Sequence, residues 1–164
     1  MSRSPESKIT AREDLAHHLE ARRPARIVLA NGLFDLLHVG HVRYLNAARE
    51  AGDLLIVALN DDASARALRG PSRPIVPLKE RMILIAALAA VDYVTWFSEP
   101  NMARTFECLR PHRHAKGTDY RPDSLPREER EAHEAFGIEV VCVGDPKSHA
   151  TTDIVQTVLD GPVE

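Results

Sequence analysis

Cysteine is scarce in this chain of 164 residues: Cys108 and Cys142 are the only two, and no CxxC pair occurs. Two distant thiols exclude a disulfide framework and a zinc ribbon, and they make the reducing cytoplasm the expected setting. No apolar run approaches the ~18 residues that span a bilayer, and Met1 to Lys8 is polar, without the hydrophobic region of a secretory signal. No membrane association is therefore expected. An excess of positive charge is missing as well. The net charge is −3 at pH 7 and the isoelectric point about 6.2, which offers no field for nucleic acid. Internal repeats and low-complexity tracts are absent. So are the Walker A string GxxxxGK[ST] and the dinucleotide string GxGxxG, which removes the two commonest phosphate loops.

What is present is an alternation of short apolar runs and amphipathic segments, with an ordinary 44% of hydrophobic residues. Arg26 to Asn31, Asp53 to Asn60, Tyr93 to Phe97, His112 to Lys116 and Ile138 to Val143 read as strands. The fourth has a poor composition for a strand, because Arg113 stands inside it. Helices are predicted over Thr10 to Arg22, Val39 to Ala51, Ala63 to Leu68, Lys79 to Ala90, Asn101 to Leu109, Arg127 to Phe136 and Thr152 to Leu159. This order implies an α/β protein, a Rossmann-like three-layer sandwich around a five-stranded parallel sheet. Residues 1–24 are expected to form a helical extension and residues 25–164 the catalytic domain.

Ligands of such sheets bind beyond the carboxyl ends of the strands. The segments to inspect are Asn31 to His41, Asn60 to Arg73, Lys116 to Tyr120 and Gly144 to Thr152. The first reads Asn31-Gly32-Leu33-Phe34-Asp35-Leu36-Leu37-His38-Val39-Gly40-His41. Gly32 lets backbone approach a ligand, and the following helix start offers unpaired N–H groups to an anion. His38 and His41 are three residues apart, so both rings can face one phosphate. The same pair read alone would serve equally as a helix cap or half of a metal site.

The whole string, NGLFDLLHVGH, resembles the HxGH signature of the cytidylyltransferase-like nucleotidyltransferases, and the likeness runs from about residue 8 to residue 160. GDPKSHATTDIV adds to the likeness, and within that superfamily the strings SRPIVPLKERM and KGTDY resemble the adenylyltransferases that activate D-glycero-D-manno-heptose 1-phosphate. Those enzymes supply ADP-heptose for lipopolysaccharide core and related glycans. The resemblance implies transfer of AMP from ATP to the sugar phosphate, release of pyrophosphate, Mg²⁺ carried in with the nucleotide, and a homodimer. The sequence shows no dedicated carboxylate cage, so no protein-held metal is expected.

The resemblance also implies roles for individual residues. His38, His41 and Lys116 become the catalytic cations and donors. Asn31, Gly32, Leu33, Phe34, Gly40, Arg69, Arg81, Asp92, Gly117, Thr118, Asp119, Thr151 and Thr152 become nucleotide contacts. Asp35, Asp61 and Arg73 are assigned to the acceptor. Several of these residues have a plainer reading: Asp35, Asp61 and Asp92 as turn or helix caps, Arg69 and Arg73 as solvated charges, Thr152 as an N-cap. Arg69 stands where the family commonly has Lys, Thr118 where heptose enzymes commonly have a second Gly, and Ala150 where the family has Ser. His17, His18, His133 and Lys79 read as surface residues, and both cysteines as packing residues. The HxGH string does not by itself separate ATP from CTP, nor heptose 1-phosphate from glycerol 3-phosphate or a related alcohol phosphate. A nucleotide-binding regulator without turnover is the reading from another class. Retention of His38, His41, Lys116 and Arg81 argues against it.

Overall fold

A computed structural model describes residues 4–21, 26–146 and 151–161 of the chain. The expected boundary between residues 24 and 25, Ala150 and the side chain of Thr151 lie outside what is described.

Five strands, β1 (Ile27–Gly32), β2 (Leu54–Asn60), β3 (Tyr93–Phe97), β4 (Arg113–Lys116) and β5 (Glu139–Cys142), form one sheet. Their order is β3-β2-β1-β4-β5, and every pairing is parallel. Successive strands move outward from β1 on one side, then β4 and β5 continue on the other. The direction of winding therefore reverses between β1 and β4, and a crevice opens there. Among the described residues seven α-helices accompany the sheet: α1 (Arg12–Ala21), α2 (Val39–Glu50), α3 (Asp62–Arg69), α4 (Leu78–Ala86), α5 (Ala103–Leu109), α6 (Arg127–Phe136) and α7 (Thr151–Asp160).

The central strands are apolar along their whole length because both faces are covered. Side-chain alternation sends Ile27, Leu29, Ile56 and Ala58 into one core, with Leu15 and Leu19 of α1, Phe106 of α5 and Ala132 of α6. Val28, Ala30, Leu55, Val57 and Leu59 enter the opposite core, with Leu45 and Ala48 of α2 and Ile85 of α4. The three-layer sandwich expected from the sequence is thus the one observed. Helix α1 is an integral part of the first core. The segment before it adds to the edge: Thr10 N–H donates to Val94 O at 2.9 Å, beside a parallel bridge between Ile9 and Val94. Among the described residues no helix is long and apolar enough to cross a membrane.

Arg113, the residue that made β4 unconvincing, opens the strand with its side chain directed away from the core. Its Nε donates to Glu139 Oε2 of the paired strand at 2.7 Å, and its NH1 to Ala51 O at the end of α2 at 2.8 Å. The charge is satisfied at the sheet's amino edge, and the strand itself carries the buried residues His114 and Ala115.

Candidate active site

A cleft of about 920 Å³ opens beyond the carboxyl ends of the strands, walled by Asn31, Asn60, Phe97, Lys116 and Val143 among others. Its first wall is the turn from β1 into α2. Phe34 stands there at φ 49°, a left-handed backbone that costs a non-glycine residue about 1–2 kcal/mol. The turn brings the buried Phe34 ring edge-on to His41, with centroids 5.1 Å apart. Gly32 is required by this packing: a Cβ there would lie 3.0 Å from Phe34 Cε2. Its lack of a side chain thus makes room for a neighbour of His41.

His38 is the N-cap of α2, and the two histidines cap reciprocally. Gly40 N–H donates to His38 Nδ1 at 3.1 Å, and His38 N–H donates to His41 Nδ1 at 3.4 Å. The rings stack, with centroids 3.8 Å apart. A ring that accepts at Nδ1 carries its proton on Nε2. Both imidazoles therefore carry their proton on Nε2, at the positive end of the helix dipole. The helix-cap reading is the one observed, and it places both rings at a helix start.

On the other side of the reversal point, Asn31 of β1 and Lys116 of β4 meet. Lys116 Nζ donates to Asn31 Oδ1 at 3.3 Å. Beneath them lies a buried polar chain that the sequence did not reveal. His114 Nε2 is 2.9 Å from Asn31 Oδ1, and His114 Nδ1 is 3.0 Å from His133 Nε2. Since Asn31 Oδ1 can only accept, His114 carries its proton on Nε2 and receives one at Nδ1 from His133. The Asn31 oxygen is held by two donors, so its amide NH₂ is the group left for the cleft. Burial, with the Lys116 charge nearby, keeps His114 well below the usual imidazole range, and His133 shifts the same way. Burial also lowers the Lys116 ammonium, against the opposing pull of Glu129 and Asp119.

The remaining candidates separate. Arg69 lines the cleft from the end of α3, and Arg73 from the loop beyond it. Asp35, only 5% exposed, accepts from Arg73 NH1 at 2.8 Å and from the N–H groups of Ile75 and Val76 at 2.8 and 3.0 Å. Burial opposes its ionisation, but these donors outweigh it and lower the carboxyl below its ordinary value. Thr118 Oγ1 donates to Asp145 O at 3.2 Å, tying the loop after β4 to the loop after β5. Gly144, in that second loop at φ 87°, lies where a Cβ would meet Tyr44 Cα at 3.3 Å. Leu33, Gly40, Gly117, Asp119 and Thr152 are also on the walls.

Three expected ligand contacts are placed elsewhere. Arg81 is fully buried: Nε donates to Val76 O at 2.9 Å, NH1 to Leu33 O at 2.6 Å and NH2 to Asp62 Oδ1 at 2.8 Å. Every arm of the guanidinium is engaged inside the protein, so Arg81 holds the β1–α2 turn in place and does not reach the cleft. Asp92 precedes β3, at the sheet's opposite edge, where it accepts from Leu55 N–H at 2.8 Å and pairs with Arg49 at 3.0 Å. Asp61 caps α3 through Ser64 N–H at 2.7 Å, the plainer of its two readings. His133 is buried, not on the surface, and Cys142 is exposed, not packed. His17 and His18 are exposed, as is Lys79. Among the described residues no three His, Cys, Asp or Glu side chains are grouped to hold a metal.

Sequence reasoning missed Glu129, Phe97 and Met102 on the cleft wall. For Glu129 a signal existed: Glu129, Ala132 and His133 share the buried stripe of α6 at helical spacing. Their charge made them look like a solvated face.

A parallel sheet with a crevice at its reversal point, walled by a helix start that carries two imidazoles, defines an α/β domain of the nucleotidyltransferase type. A profile of the cytidylyltransferase-like family matches residues 29–156, and the chain belongs to that family. The bifunctional protein HldE of Syntrophotalea carbinolica is 43% identical over 157 residues, 94% of this chain and 32% of that protein. HldE of Pelobacter propionicus is 46% identical over 159 residues, again 94% and 32%. The chain thus spans about one third of the length of these relatives. Among solved structures, a lipopolysaccharide core biosynthesis protein from Thermoplasma volcanium superposes with a TM-score of 0.62 at 27% identity, covering 74% of this chain and 98% of that one. A pantoate-beta-alanine ligase from Francisella tularensis shares the fold at a TM-score of 0.61 and 13% identity, covering 90% and 75%.

Proposed function

We propose that the chain transfers AMP from ATP to D-glycero-D-manno-heptose 1-phosphate, giving ADP-heptose and pyrophosphate. The observation that carries this reading is the reciprocal capping of His38 and His41 on the cleft wall, which commits both Nδ1 atoms to backbone N–H groups and leaves the proton of each ring on Nε2. The heptose acceptor is supported by KGTDY, by SRPIVPL and by the HldE relatives.

A phosphate oxygen of the sugar attacks the α-phosphorus of ATP in line, and the bond to the bridging oxygen of the pyrophosphate breaks. A phosphate dianion is nucleophilic at neutral pH, so the chain supplies no general base. It supplies position and donors aimed at oxygens that gain charge in the transition state. The Nε2–H groups of His38 and His41 serve the α-phosphate oxygens. Lys116 and the Asn31 NH₂ hold phosphate at the reversal point, while Arg69 meets the outgoing pyrophosphate end. Thr152 and the N–H groups that begin α7 face the same polyphosphate. Mg²⁺ enters as the counter-ion of the triphosphate. The working unit is a homodimer, to be read from the mass in solution.

Pyrophosphate release decides the substrate. ATP with heptose 1-phosphate is expected to give turnover. Activity confined to CTP with glycerol 3-phosphate refutes the assignment, and ATP binding without turnover of any sugar phosphate makes the chain a regulator.

A further inference from the structure

Glu129 is unlike any other carboxylate of the cleft. Its side chain is only 5% exposed, yet it stands on the cleft wall. Oε1 accepts from Met102 N–H at 2.9 Å, which fixes the plane of the group. Oε2 is buried and has no hydrogen-bond partner among the described residues. A buried carboxylate oxygen without a donor is costly, and a ligand that brings one recovers the loss. Burial pushes this carboxyl above its usual range, while the Met102 N–H and the Lys116 charge favour the ionised form.

Its position says which ligand can supply the donor. The histidines and Thr152 lie toward the layer of α2, whereas Met102 and Phe97 belong to the layer of α1, α5 and α6. Alternation along β1 and β4 places Asn31 and Lys116 on that second side, in line with Leu29 and His114. A phosphate oxygen cannot serve Oε2 of the ionised carboxylate, because both are then acceptors. A ligand with an anionic end and hydroxyl groups satisfies both charges at once, phosphate on Lys116 and hydroxyl on Glu129. We propose that Glu129 selects the acceptor, its Oε2 receiving a hydrogen bond from a hydroxyl of the sugar phosphate. The inference rests on the activity proposed above and adds the residue that recognises the sugar.

The test is steady-state pyrophosphate release by the wild-type chain and by Glu129→Gln, which keeps an oxygen for Met102 N–H but presents an NH₂ in place of Oε2. With ATP saturating, the KM for heptose 1-phosphate is expected to rise about 10- to 100-fold, as for a lost hydrogen bond to a charged group. The ATP dissociation constant, by calorimetry, stays within about twofold. The same loss is expected in the wild type with a sugar phosphate lacking the recognised hydroxyl, and that analogue costs Glu129→Gln nothing further. An unchanged acceptor KM overturns the inference, as does a shift confined to ATP affinity. Loss of the wild-type response to every single-deoxy analogue also overturns it, even where Glu129→Gln fails to fold. Wild-type protein that turns over no sugar phosphate removes the activity and the inference together; an active wild type with an indifferent Gln variant removes the inference alone.

Discussion

Replacing Arg81 with Met tests whether this arginine is a scaffold for the catalytic turn or a ligand contact. Met roughly preserves the buried volume while deleting every donor. Leu33 O and Val76 O each lose a partner, at about 1 kcal/mol apiece for partly buried carbonyls. Asp62 keeps its bond from Leu78 N–H and is 36% exposed, so water covers much of the loss, and the broken pair adds about 1 kcal/mol. The sum is ~3 kcal/mol, which lowers the melting temperature of a domain this size by about 6–12 °C. Arg81→Lys is expected to recover less than half, because one ammonium cannot reach three acceptors set in a fork. Thermal unfolding followed by circular dichroism gives the answer. A melting temperature within about 2 °C of wild type, combined with loss of ATP binding, refutes the scaffold role and returns Arg81 to the nucleotide.

Other outcomes follow from the same geometry. His38→Ala and His41→Ala are each expected to lower pyrophosphate release by ~10²–10³-fold, with a melting temperature lower by only a few degrees for the lost cap. Gly32→Ala places a Cβ 3.0 Å from the Phe34 ring; the ring shifts, His41 moves with it, and turnover falls more than stability does. Asp35 has its carboxyl lowered below 3.8 by its donors despite burial, so its stabilising effect is complete above that value and fades as pH falls through the folded pKa. The stability gap between wild type and Asp35→Asn should therefore narrow on acidification from pH 7 to pH ~3, and a constant gap in denaturant titrations contradicts this.

Sequence pattern carried the fold further than it carried the site. Branched apolar runs such as Leu54–Asn60 admit little but a buried parallel strand, and the helix stops at Gly52 and Gly137 are local signals. The HxGH turn was legible because the residues of the motif are the residues that cap α2. Arg81 was not: a helix start says nothing of a carbonyl 48 positions upstream. Asp92 could have been placed, since a residue preceding a parallel strand lies at the edge away from the ligand. His133 and Glu129 were hidden by charge, because a helix rich in Glu and Arg looks solvated all round until its buried stripe is counted. The chain of hydrogen bonds from His133 through His114 to Asn31 joins three elements far apart in sequence, and no local rule predicts it.

The account stands on where His38 and His41 point when nucleotide is bound. A crystal structure with a non-hydrolysable ATP analogue should show Nε2 of both rings within ~3 Å of phosphate oxygens, their Nδ1 atoms still bonded to the N–H groups of Gly40 and His38. Phosphates seated elsewhere in the cleft, or rings turned so that Nδ1 meets the ligand and the reciprocal cap is broken, would contradict it.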